Sequence, residues 1–183
     1  MTVNPDLELA LELADIADSI SLERFYAMDF KVETKPDSTP VTESDRAVER
    51  AIKEHLAKAK PNDAIIGEEY GSTGENLHGA GSRTWIIDPI DGTANYLRGV
   101  PVWATLIALA IDGKPVVSVV SAPAMGRRWW ASPETGAKTS LVDGRIKDLQ
   151  VSKISDLKHA SMSYVSLKLW DEKGLLSNLM NLV

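Results

Sequence analysis

"WIIDPIDGTANY", residues 85–96, decides the reading of this chain. Trp85, Ile86 and Ile87 form an apolar run of strand character, and Asp88, Asp91, Gly92 and Thr93 follow at once. Pro89 lacks an amide hydrogen, so residues 88–91 are excluded from a helix interior. The spacing predicts a turn that aims both carboxylates inward and leaves the Ile90 carbonyl free. A second apolar run, residues 64–66, ends in Gly67, Glu68 and Glu69. If the two strands lie side by side and point the same way, their acidic ends meet at one edge. Ligands bind at that edge in layered α/β proteins.

Glu68, Asp88, Asp91 and the Ile90 carbonyl are hard oxygen donors. Grouped carboxylates need a cation or a proton to neutralise them. Oxygen donors without His or Cys favour Mg²⁺, with Mn²⁺ and Ca²⁺ as competitors. Gly92 lets backbone approach a ligand closely. The amides at the start of a helical turn form an anion site. The Thr93 hydroxyl is suited to a water or a phosphoryl oxygen. Together these parts suit hydrolysis of a phosphate ester. The same residues also read as a plain turn, since Asp-Gly is common turn chemistry. Spacing alone leaves both readings open.

The rest of the chain sets bounds. Its 183 residues suffice for one domain with a proper core. A net charge of -6 argues against nonspecific nucleic-acid binding. The absence of cysteine excludes disulfides and thiolate metal sites. No apolar run reaches membrane-spanning length, and the acidic N-terminus has no secretory character, so a cytoplasmic location is expected.

Leu7, Ala10, Leu11, Ala14, Ala17 and Ile20 recur at helical spacing, predicting a helix from about Asp6 to about Met28. Thr42 opens a second helix, with Asp45 at capping-box spacing and Val48, Ile52, Leu56 and Ala59 as its buried stripe. Asp112 and Gly113 mark a hairpin between the runs 103–111 and 115–120. Residues 128–131, Leu141 with Val142, and residues 149–151 continue an antiparallel meander around Asp143 and Gly144. The tail, residues 169–183, reads as one amphipathic helix.

At this point a family resemblance is legible. "WIIDPIDGTANY" is similar to the W-x-x-D-P-x-D-G-T-x-N-[FY] signature of the inositol monophosphatase family. "GEEYG" resembles its Gly-Glu-Glu element, and "KPDSTPVTESDRAVE" its upstream Lys-x-Asp…Pro-Val-Thr-x-x-Asp element. The resemblance implies that Glu68, Asp88 and the Ile90 carbonyl hold a first Mg²⁺, and that Asp88 and Asp91 share in a second. It implies that Glu68 and Thr93 position the attacking water and that Asp45 orients Thr93. Phosphate goes to Asp91 and to the Gly92 and Thr93 amides. Glu69 supports the site, and Lys35 is a weaker candidate because loop lysines are usually solvated. The runs "VPVWA" and "RRWWA", with "SYVSLKLWDEKGLL", resemble the histidinol-phosphate phosphatase branch. Trp103 and Trp130 are read as core packing.

The implied activity is Mg²⁺-dependent hydrolysis of a small phosphomonoester, L-histidinol phosphate in histidine biosynthesis. Inositol-1-phosphate or a related sugar phosphate is the alternative substrate, and a binding module or inactive fragment the alternative class. The implied fold is an α/β layered sandwich: N-terminal helices on a largely antiparallel sheet, as a single domain over residues 1–183 with its C-terminal layer incomplete. A homodimer is the implied assembly. The family's later metal-binding Asp has no good match here. Asp171 is the nearest substitute and reads better as part of a surface helix, while Asp143 reads as a hairpin turn.

Overall fold

The computed structural model describes residues 4–34, 40–74, 80–164 and 166–182. Two compact units are present, Met1–Leu149 and Gln150–Val183.

The first unit starts with α1 (Pro5–Ala27). The Asn4 side chain accepts from the Asp6 and Leu7 amides, and Pro5 stands where an amide hydrogen would have no helical acceptor. β1 (Val32–Thr34) and β2 (Pro40–Thr42) form a two-stranded antiparallel ribbon. α2 (Glu43–Ala59) follows directly, and Thr42 and Asp45 close the expected capping box.

The main sheet is built from β3 (Ala64–Gly67), β4 (Gly71–Thr73), β5 (Arg83–Asp91), β6 (Ala104–Ile111), β7 (Lys114–Ala122), β8 (Arg127–Ser132), β9 (Gly136–Ser140) and β10 (Ile146–Asp148). A short α3 (Thr93–Leu97) leaves the end of β5. The strand order is β10-β9-β8-β7-β6-β5-β3-β4. β3 and β5 run parallel, and the other pairs of this sheet are antiparallel.

Alternation along the strands sends one set of side chains toward the helices. Trp85, Ile87, Ile107, Leu109, Val117 and Val119 pack there with Leu13, Ala14 and Ala17 of α1 and Val48, Ile52 and Leu56 of α2. Each buried Val, Leu or Ile among them contributes roughly 1.5–3 kcal/mol. Trp130 lies against this core, as expected. A second cluster joins Phe25, Ile90, Tyr96 and Trp103. Its Tyr96 hydroxyl donates to the Ser21 carbonyl at 2.8 Å, which anchors α3 to α1.

Three expectations change. Residues 88–91 do not leave the sheet as a turn but remain in β5. The last hairpin is formed by β9 and β10, and Leu141, Val142 and residues 149–151 lie outside strands. The Asp143 side chain accepts from the Arg145 amide at 3.1 Å and makes the turn local. In the second unit the tail is not one helix but two, α4 (Leu167–Glu172) and α5 (Leu176–Met180). Gly174, at φ 68°, separates them. No helix among the described residues is long and apolar enough to cross a membrane.

Candidate active site

β5 and β6 pair regularly from Arg83 opposite Ile111 to Asp88 opposite Leu106, and then the register shifts until Asp91 faces Ala104. Two residues, Pro89 and Ile90, therefore stand opposite one, Thr105. This is a β-bulge, and it answers why a proline separates the two acids. A bulge does not need the amide hydrogen that proline lacks. The fully buried Thr105 donates its hydroxyl to the Pro89 carbonyl at 2.8 Å. In a regular strand, residues three apart point to opposite faces. The extra residue brings Asp88 and Asp91 to one cleft.

The parallel pairing supplies the third acid. Gly67 is the register partner of Ile87, and the Glu68 amide donates to the Ile87 carbonyl at 3.2 Å. Glu68 thus emerges beside Asp88. A cleft of ≈ 280 Å³ is lined by Pro40, Glu68, Asp88, Ile90, Asp91, Gly92, Thr93 and Ala94.

The electrostatics are those of an acid cluster short of positive charge. Asp88 Oδ1 is buried and has no hydrogen-bond partner among the described residues. Burial first, then the charge of Glu68 and a hydrogen bond with it, then Asp91, push the Asp88 carboxyl up to about 8. A divalent cation would reverse that shift by supplying the missing charge. Among the described residues, no three His, Cys, Asp or Glu side chains close into a metal cage. Mg²⁺ does not require a closed cage, since it keeps waters and takes about one or two protein carboxylates beside substrate phosphate. The donor set, all oxygen, therefore fits that ion.

Gly92 makes the exit from β5. Its φ is +88°, and a Cβ there would sit 3.1 Å from the Val102 carbonyl oxygen, so only glycine turns the chain here without strain. The turn starts α3 at Thr93. The Thr93 hydroxyl lies 3.0 Å from the Ile90 carbonyl and 3.3 Å from Asp45 Oδ1, and it has one proton for the two acceptors. The Ile90 carbonyl, expected to be free, thus faces the Thr93 hydroxyl. Asp45 is 1% exposed, and its Oδ2 accepts from the Thr42 amide at 2.8 Å and the Thr42 hydroxyl at 2.5 Å. Burial raises its carboxyl above the usual range against these hydrogen bonds.

The sequence reading missed Glu49. It lies in the buried stripe of α2, with Asp45, Val48, Ile52 and Leu56. Its Oε2 accepts from the Glu69 amide at 2.7 Å and its Oε1 from the Tyr70 amide at 3.1 Å. A charged residue at a core position of the helical period was the available signal. Lys35 lies outside the described residues. Asp143 is in the β9–β10 turn, and Asp171 is in α4 of the second unit.

The chain is similar to known proteins over most of its length. The model of the inositol monophosphatase family matches residues 3–183. The chain is 53% identical to the histidinol-phosphatase of Streptomyces coelicolor over 97% of this chain and 66% of that protein. It is 51% identical to the histidinol-phosphatase of Mycobacterium tuberculosis over 93% of this chain and 64% of that one. The chain thus spans a little under two thirds of the length of these relatives. Among solved structures, an IMPase from Thermotoga maritima superposes with TM-score 0.69 at 30% identity, over 82% of this chain and 55% of its own. The inositol monophosphatase of Anabaena gives TM-score 0.66 at 27% identity, over 84% and 52%. The helices on a mixed sheet form the α/β sandwich of these neighbours, and the family model spans nearly the whole chain: the chain belongs to the inositol monophosphatase family.

Proposed function

We propose that the protein is a Mg²⁺-dependent phosphomonoester hydrolase acting on L-histidinol phosphate in histidine biosynthesis. The observation that carries the reading is the convergence of Glu68, Asp88, Asp91, Gly92 and Thr93 on one cleft, with an Asp88 oxygen buried and without a hydrogen-bond partner among the described residues. Glu68, Asp88 and the Ile90 carbonyl would hold one Mg²⁺, and Asp88 with Asp91 a second. The bound ions stabilise charge on the phosphoryl oxygens and make water a better nucleophile at neutral pH.

The chain's own groups do the rest. The Thr93 hydroxyl holds the attacking water when it turns its proton to Asp45 or Ile90 and offers a lone pair. Glu68 accepts from the same water. Asp45 keeps the Thr93 hydroxyl oriented and Glu69 supports the Glu68 turn. The Gly92 and Thr93 amides receive the phosphate oxygens at the start of α3.

The substrate follows from likeness to proteins named histidinol-phosphatase at 51–53% identity. Inositol-1-phosphate is the competing substrate, supported by a 35% identical relative from Solanum lycopersicum named inositol monophosphatase 3. The reading includes a homodimer, as the family resemblance implies, and a cytoplasmic location, as expected from the sequence composition. Phosphate release from both esters, with Mg²⁺ and with a chelator, tests it. Faster Mg²⁺-dependent release from histidinol phosphate is expected, and preference for inositol-1-phosphate would replace the substrate. A metal- and phosphate-binding module without turnover is the second reading, favoured by the lack of a good match to the family's later metal-binding Asp. Mn²⁺ binding with no release from either ester would select it.

A further inference from the structure

Glu49 is 0% exposed, yet it is not among the residues that line the cleft. Its carboxylate takes two consecutive amides, Glu69 at 2.7 Å and Tyr70 at 3.1 Å. The Glu68 amide is held by the Ile87 carbonyl at 3.2 Å. Three successive amides are therefore tied, and the backbone that carries Glu68 is fixed from both sides. The same turn is held again from α2: Arg50 donates to the Tyr70 hydroxyl at 3.1 Å, and Lys53 lies 5.7 Å from the centre of its ring. Lys53 also reaches Glu49 at 3.7 Å, which places a positive charge near the buried carboxylate.

Gly67 makes room for this contact. A Cβ at residue 67 would lie 1.9 Å from Glu49 Oε1 and 2.3 Å from its Cδ. The carboxylate is enclosed by α2 and the turn, so it cannot swing aside as an exposed side chain would. We propose that Glu49 is a positioning residue: seated on Gly67, it sets the turn at residues 67–70 and so the placement of Glu68 for a divalent cation. This rests on the metal-site reading above. Outer groups that orient metal ligands typically change affinity by about 10–100-fold when removed.

Mn²⁺ alone is the probe, titrated by electron paramagnetic resonance into the 183-residue chain. Glu49→Gln keeps the volume but turns an NH₂ group toward one of two amide donors, so one hydrogen bond becomes a repulsion. Gly67→Ala displaces the carboxylate without touching its charge. Both variants are expected to weaken Mn²⁺ binding by about tenfold or more. Their double variant should be little worse than either alone, because both act on one contact. Ile52→Val, which loosens the same helix without touching the turn, should melt earlier but bind Mn²⁺ as the wild type does. Wild-type affinity in Glu49→Gln and Gly67→Ala would overturn the proposal and leave the metal site standing. A wild-type chain that takes up no Mn²⁺ would overturn the metal-site reading and this proposal with it. If neither variant folds, hydrogen exchange on the wild type decides: Glu69 and Tyr70 amides should be protected like those of α2, and loop-like exchange would overturn the role.

Discussion

The Glu68 amide donates to the Ile87 carbonyl at 3.2 Å, so the residue just before Asp88 holds the backbone of Glu68. This bond continues the parallel β3–β5 pairing one residue beyond its last register pair, Gly67 with Ile87. Two acids twenty residues apart in sequence become neighbours because of it, and burial together with the charge of Glu68 raises the cost of charging Asp88.

Asp88→Asn is expected to abolish Mg²⁺-dependent phosphate release. An oxygen of Asp88 is buried with no hydrogen-bond partner among the described residues, and Asp88 would contact both ions. The check is a rate measurement in a form of the protein that turns over. Activity above about a tenth of the wild-type rate would remove Asp88 from the metal site.

Thr93→Ala is expected to lower kcat far more than it weakens Mg²⁺. The hydroxyl faces Asp45 and the Ile90 carbonyl, whereas the ions would rest on carboxylates. Titrating Mg²⁺ against rate separates the two effects. Weaker Mg²⁺ with unchanged kcat at saturation would show the hydroxyl to be a metal donor instead.

Thr105→Val keeps the side-chain shape but removes the donor to the Pro89 carbonyl. A buried carbonyl left without its partner costs about 1–3 kcal/mol. For a chain of this size each kcal/mol lowers Tm by about 2–4 °C. Thermal unfolding by circular dichroism checks this, and an unchanged Tm would show that the bulge does not depend on the bond.

Metal-free protein should lose stability as pH rises. The Asp88 carboxyl is raised from 3.8 to about 8 in the fold, so its neutral form is the one the fold favours. For a raised acid, that stability is fully present below the unfolded value and is lost as pH climbs through the folded one. Asp45 and Asp18, both raised by burial, add with the same sign. Urea midpoints in chelator should fall between about pH 4 and about pH 8, and Mg²⁺ should oppose the fall. Midpoints that rise with pH in chelator would contradict the electrostatics of the cleft.

Much of the lining of the candidate cleft was legible in the residues. Acids directly after apolar runs, Gly92 before Thr93, and Thr42 with Asp45 are local signals, and each reports on a few neighbouring residues. Two features escaped. The bulge at Pro89 read as a turn, because proline signals a break in either case and only the partner strand shows that pairing resumes at Asp91. Glu49 went unread because an acid on a helix is usually solvated, and its partners lie twenty and twenty-one residues away.

The sequence by itself determined the periods, the caps, the acidic strand ends and the kinship, because these depend on contacts within a turn or two of the chain. The tertiary structure alone decided that β3 lies parallel to β5, that the bulge turns Asp88 and Asp91 into one cleft, and that Gly67 seats Glu49. Those outcomes depend on which surfaces bury each other across long separations. Alternation says which face of a strand is apolar, but strand partner and register are chosen by the whole core.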